Sequence, residues 1–148
     1  MRIALIFAVL AVAAPATQGR NSAARFAITI DGVQIATFSE LQGITTKVDV
    51  VEGTSETLNV EALVSLGRPL TTDLTLAKWH EEAVANGPRI RKNMVLLVHG
   101  PNGEPIARYH LENAWPSKIE IGAQKVAASE ILIETVTLTC ERIERVAP

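Results

Sequence analysis

The stretch RFAITIDGVQIATFSEL, residues 25–41, decides the fold class. Apolar and polar residues alternate along it, which is the period of a strand and not of a helix. Phe26, Ile28 and Ile30 fall on one face. Asp31 and Gly32 then stand between two alternating runs, and Asp-Gly suits a two-residue hairpin turn whose central residues both take positive φ. Val33, Ile35 and Thr37 make the returning strand.

The same period continues outward. ITTKVDVVEG (residues 44–53) reads as a strand closed by Gly53, with Val48 and Val50 on one face. ETLNVEALVSLG (residues 56–67) alternates at Leu58, Val60, Ala62 and Val64, although Glu, Ala and Leu also suit a helix; the strand is the better fit. TTDLTLAKWHEEAVANG (residues 71–87) is the one good helix. Thr72 or Asp73 caps it, Leu76, Trp79 and Ala83 form its apolar stripe, and Gly87-Pro88 stops it. A second hairpin follows, with strands over 94–98 and 105–111 about a Gly100-Pro101-Asn102-Gly103 turn. Pro116 is expected to end that run and SKIEIG (residues 117–122) to form a short separate strand. The last strand runs from Ser129 to Val146, with Leu132, Val136, Leu138 and Cys140 on one face and Ile131, Ile133, Thr135, Thr137 and Thr139 on the other. Neither face is charged near its middle, so burial on two sides is expected. The sum is a mainly β domain, a β-sandwich or partly closed β-barrel with one flanking α-helix.

Ahead of this domain stands MRIALIFAVLAVAAPATQG. Arg2, an uncharged apolar run over 3–14, and small residues at Ala11, Ala13, Ala14 and Ala16 make the three-part pattern of a secretory signal peptide. The run is shorter than the roughly 20 residues a membrane-spanning helix needs, so no stable membrane span is expected. The competing reading is an uncleaved apolar N-terminal arm that packs on a neighbouring subunit. The expected division is residues 1–16 as signal peptide or arm, 17–24 as linker and 25–148 as the β domain.

Composition narrows the functional classes. The 148 residues are 47% apolar and 20% charged, with a net charge of −2 and no basic tract, which argues against sequence-specific nucleic-acid binding. Cys140 is the sole cysteine, so no intramolecular disulfide forms, and its expected place is buried in a strand. His80, His99 and His110 are the only histidines. No second His follows His80 at i+4, and His99 and His110, which could face each other across a hairpin, are too few for a metal site. There is no nucleophile elbow, phosphate-binding loop or dinucleotide fingerprint, and the carboxylates at Glu40, Asp49, Glu52, Glu56 and Glu61 have nothing to fix them in a pocket. No enzyme activity, cofactor or metal is expected.

Three stretches in order carry a family resemblance: FAITIDGVQIATFSELQGITTKVDVVE (residues 26–52), the helix TTDLTLAKWHEEAVANG, and MVLLVHGPNGEPIARYHLENAWPSKIEI (94–121) with the closing ILIETVTLTCERI (131–143). The element Asn113-Ala114-Trp115-Pro116 is its most specific part. Together they resemble the tail tube proteins of contractile phage tails and phage-tail-like injection systems. The resemblance implies a homo-oligomer: rings of six subunits whose strands close a continuous barrel around a lumen, the rings stacking into a hollow tube beside sheath or baseplate-like proteins. It also implies that Trp115 and Pro116 fix a turn between strands and that Trp79 docks the helix. Two departures stand out. The Gly- and Lys/Arg-containing loop that such proteins carry after the valine strand is shortened in 52–67, and the leader is foreign to tubes that assemble in the cytoplasm. An exported subunit polymerising outside the cell is the first expectation, and an inner tube subunit of a cytoplasmically assembled particle the alternative. A monomeric carbohydrate- or protein-binding sandwich ranks last, because three Phe, two Trp and one Tyr leave little for an aromatic platform.

Overall fold

A computed structural model describes residues 25–51, 57–126 and 129–148. In chain order these form β1 (Phe26–Ile30), β2 (Val33–Phe38), β3 (Glu40–Val51), β4 (Thr57–Pro69), α1 (Thr75–Asn86), β5 (Lys92–His99), β6 (Pro105–Val126), β7 (Ser129–Cys140) and β8 (Arg142–Val146). The expectations for residues 1–24, signal peptide or arm followed by linker, lie outside the described residues.

The first hairpin turns as its Asp-Gly demands. Asp31 has φ 52° and Gly32 φ 79°, both in the left-handed region. A bulge between Ile28 and Thr29 shifts the register, so that Phe26 pairs with Phe38 and Ile28 with Ala36. The returning strand therefore gives Ala36 and Phe38 to the core, while Val33 stays in water. One extra residue in the bulged strand reassigns which side chains face inward.

All strands join one antiparallel sheet in the order β2-β1-β5-β6-β7-β4-β3, with β8 also on β6. The sheet bends over its own core and does not close. Its two end strands, β2 and β3, are joined through Ser39 alone, whose N–H donates to the Gly67 carbonyl at 3.0 Å. Of residues 56–67, ambiguous between helix and strand, 57–67 lie within β4, whose Ala62, Val64 and Leu66 are buried.

β6 differs from expectation. It is one strand of 22 residues that passes straight through Pro116. Its first half pairs with β5 and β8, and residues 115–126 pair with β7. The change of partner happens at Asn113, where φ is 49° and the backbone N–H donates to the Asn93 side-chain oxygen. Pro116 is tolerated because β5 has already ended at the pair Lys92–Ala114. The Pro116 carbonyl lies 3.0 Å from His80 Nδ1 on α1, on an edge where no strand needs the missing N–H. The last strand is likewise interrupted, at Glu141, whose N–H donates to the Glu112 carbonyl at 2.9 Å, so β7 and β8 bend together with β6.

The helix starts later than its polar lead-in suggests. Asp73 does not open it as the N-terminal cap. Its carboxylate accepts from the Thr75 N–H (3.0 Å) and hydroxyl (2.8 Å), and these two bonds hold the carboxyl below the usual carboxylate range. Gly87, with φ 84°, ends the helix, and its N–H donates to the Ala83 carbonyl. Leu76 and Ala83 are buried, and Trp79 packs on the edge of the core. That core is a single cluster running from Phe26 and Phe38 through Leu66 and Leu96 to Leu111 and Leu138.

Candidate assembly surface

The sheet divides into two halves at the bend in β6. The half made by β3, β4, β7 and residues 115–126 of β6 has a free edge on each side, because β3 pairs only with β4 and this part of β6 only with β7. β3 and β4 pair from Glu40–Gly67 to Val51–Thr57, with one shift of register between Leu41 and Gly43. The residues between them, 52–56, lie outside the described residues, and with them most of the departure expected in the connecting loop. Unpaired edges of this length are a liability in a monomer and a joint in an assembly. Large apolar side chains stand exposed on the same strands: Val48 (58% exposed) on β3 and Ile121 (56%) on β6. Leu132 on β7, opposite Ala123, and Leu70 just past β4 are exposed too, at the Ile121 end of the half-sheet, the Leu70 N–H donating to the Leu132 carbonyl.

The inward face of this half holds a charged pair that the periodicity did not single out. The Arg68 guanidinium donates from Nε to Glu134 Oε1 at 2.9 Å, and both residues are 5% exposed. Arg68 also stacks over Phe38, 5.0 Å from the ring centroid. It thereby ties the end of β4 to β7 and to the end of β2, at the corner where Ser39 leads into β3. The signal was present as two opposite charges in otherwise apolar alternating strands. Only the register, which sets Arg68 directly opposite Glu134, reveals them as partners.

The outward face of the same half mixes hydroxyls with charged side chains, Lys118 standing opposite Thr137 and Glu120 opposite Thr135. Ser65 and Thr137 share a hydrogen bond of 3.0 Å, and the Thr139 hydroxyl donates to Ser117 Oγ at 2.6 Å. Ser117 Oγ donates to the Thr137 carbonyl at 3.3 Å, and Gln42 Nε2 donates to Thr135 Oγ1 at 3.3 Å. The expected Thr135, Thr137 and Thr139 face is therefore a connected polar surface.

The singled-out residues are dispersed. Asp31 and Gly32 form the first turn, far in sequence from Asn113, Trp115 and Pro116 on β6. Asn113 makes the bend in the strand, Trp115 pairs with Thr139, and Pro116 is buried opposite Leu138. Trp79 donates its indole N–H to the Ile90 carbonyl at 2.8 Å, tying the helix to the segment behind it. His99 and His110 do not face one another, because His110 pairs with Val95 and His99 with Pro105. Cys140 is buried, and desolvation pushes its thiol up to about 12. Among the described residues no group of His, Cys, Asp and Glu is placed to hold a metal ion, and no described helix is long and apolar enough to cross a membrane.

The family of the T4-like virus tail tube protein gp19 matches residues 22–144. The chain belongs to that family. It is a structural, tube-forming subunit of the tail tube type, and its open sheet with one helix is the fold of such subunits. Solved structures agree on the fold. A chain of the anti-feeding prophage baseplate, solved with sixfold symmetry imposed, aligns with 16% identity and a TM-score of 0.60 over 84% of this chain and 93% of its own. A chain of the sheath–tube complex of the extracellular contractile injection system PVC, in its extended state, aligns with 16% identity and a TM-score of 0.58, over 84% and 89%. Hcp1 from Flavobacterium johnsoniae aligns with 12% identity and a TM-score of 0.54, over 82% and 94%. No curated protein matches the sequence.

Proposed function

We propose that this tail tube protein forms rings of six copies, that the rings stack into a hollow tube, and that the subunit is exported before it polymerises. The observation that carries the ring is the pair of free edges on one half-sheet. Every neighbouring pair in that half is antiparallel, so across four strands β3 and β6 run in opposite directions. Rotation about an axis along the strands brings β3 of one copy beside β6 of the next in the antiparallel sense, which repeats until the ring closes. The sixfold symmetry applied to the anti-feeding prophage baseplate supports six as the count. The role is mechanical and involves no substrate chemistry. Sheath and baseplate proteins, present in the assemblies that align with this chain, are its expected partners beside itself.

Export rests on residues 1–16. The purified protein tests it by intact mass: an N-terminus near Ala14 or Thr17 supports export, whereas retained Met1 makes the segment an arm of a cytoplasmically assembled particle. Negative-stain microscopy with sedimentation tests the ring, expected as annular particles and tubes. A species that stays monomeric at high concentration contradicts it.

A further inference from the structure

The core ends before the half-sheet with two free edges does. On its core-side face Leu66 of β4, Val136 of β7 and Ile119 of β6 stand abreast, the first two fully buried. The next row is Arg68, Glu134 and Ile121; the ion pair closes the core there, and Ile121 is already 56% exposed. In the row after that, Leu70 is 43% and Leu132 48% exposed, with Ala123 exposed opposite Leu132. Past the buried charges the face turns apolar again with no core left to join, and a contiguous exposed apolar patch of this kind marks a contact surface. We propose that this shelf of Ile121, Leu132, Leu70 and Ala123 is where the next ring of the tube stands, and that its occupant is the Val48 end of a second copy. This rests on the ring reading above and adds the joint between rings.

The layout of the half-sheet selects a second copy as the occupant. The chain is a tube-forming subunit, and in a stack of identical rings one end of a copy meets the opposite end of another, so each copy carries two different surfaces that fit. The opposite end has the matching chemistry on the same face. There Ala62 and Cys140 are buried as a pair, Thr46 opposite Ala62 is exposed, and Val48, two residues further out, is 58% exposed. Val60, opposite Val48, and Leu70, beside Leu132, are ten residues apart on one strand line, about 34 Å at strand rise. The joint competes with neither lateral edge: β3 and residues 115–126 of β6 offer backbone groups sideways, whereas the shelf offers side chains from the face. Six such contacts form together between two rings, so a small patch on each copy suffices.

The full chain carrying Leu132→Cys and Val48→Cys in a Cys140→Ala background tests this. The assembled protein is treated with a short bismaleimide, and the denatured products are sized. A span of about 34 Å within one copy is beyond such a linker, so every bridge joins two copies. The expected ladder runs past six subunits, and either cysteine alone gives no ladder. A ladder that stops at six places the contact inside one ring and overturns the joint, as does the absence of bridges. Leu132 is about half exposed, so Leu132→Asp leaves the subunit folded, and it is expected to give annular particles with loss of tubes. Tubes of parental length in that variant overturn the shelf. Shielding of Leu132→Cys from a small maleimide in separated rings means that the shelf is covered within its own ring, by residues 1–24 for example, and also overturns the joint. Rings persist in all these outcomes. A parent protein that forms neither rings nor tubes removes the ring reading itself, and the joint with it.

Discussion

At the scale of single residues, the Arg68–Glu134 pair is where most is staked. Two charges at 5% exposure are held by one 2.9 Å hydrogen bond and a ring face, so removing one leaves the other buried without its hydrogen-bonded counter-charge. Glu134→Ala is expected to cost about 3–5 kcal/mol in urea unfolding, and Arg68→Met with Glu134→Leu to recover most of it. A cost below about 1 kcal/mol for the single change would show that the pair relaxes into water. Cys140 gives a second test, by pH. Its thiol ionises near 9.0 when unfolded and holds its proton to about 12 in the fold. The unfolded chain therefore binds fewer protons in that window. Stability is full below about pH 9 and falls above it by up to about 1.4 kcal/mol per pH unit, until about 12. Comparing the parent with Cys140→Ala isolates this slope from the lysines and the tyrosine. Burial of Cys140 was legible from residue type and alternation. The ion pair was not, because its partners sit 66 positions apart and only strand register joins them.

At the scale of elements, legibility follows how local the cause is. The Asp31-Gly32 turn was readable because two adjacent residues set both positive φ angles. The stop at Gly87 was readable for the same reason. β6 was not readable: Pro116 breaks a strand only when a neighbour needs its N–H, and whether a neighbour is there depends on where β5 ends. The inward residues of β2 were hidden by one bulge, which no pattern of apolar residues announces. The free edge of β3 can be probed without touching the core. Val48 is 58% exposed, so Val48→Asp should change subunit stability by less than about 0.5 kcal/mol. The same change puts a carboxylate on the strand that joins copies, and sedimentation should show assembly lost. Intact assembly with Asp at this position would mean that β3 is not the joint.

At the scale of the whole molecule, one half-sheet carries free edges and an outward face of hydroxyls and charged residues, while the other, with α1, closes the core behind it. Membership of the tail tube family gives this layout its meaning, since open edges are harmless once a neighbour pairs them. That much of the role was legible from the order of three sequence stretches. The bending of the sheet at Asn113, which leaves one half its two free edges, came only from the fold. The most direct measurement is cryo-electron microscopy of the purified protein at high concentration. The account predicts a hollow tube of stacked rings, with β3 of each copy hydrogen-bonded antiparallel to residues 115–126 of its neighbour. A monodisperse monomer, or a tube joined through β2 or β8 instead, would contradict it.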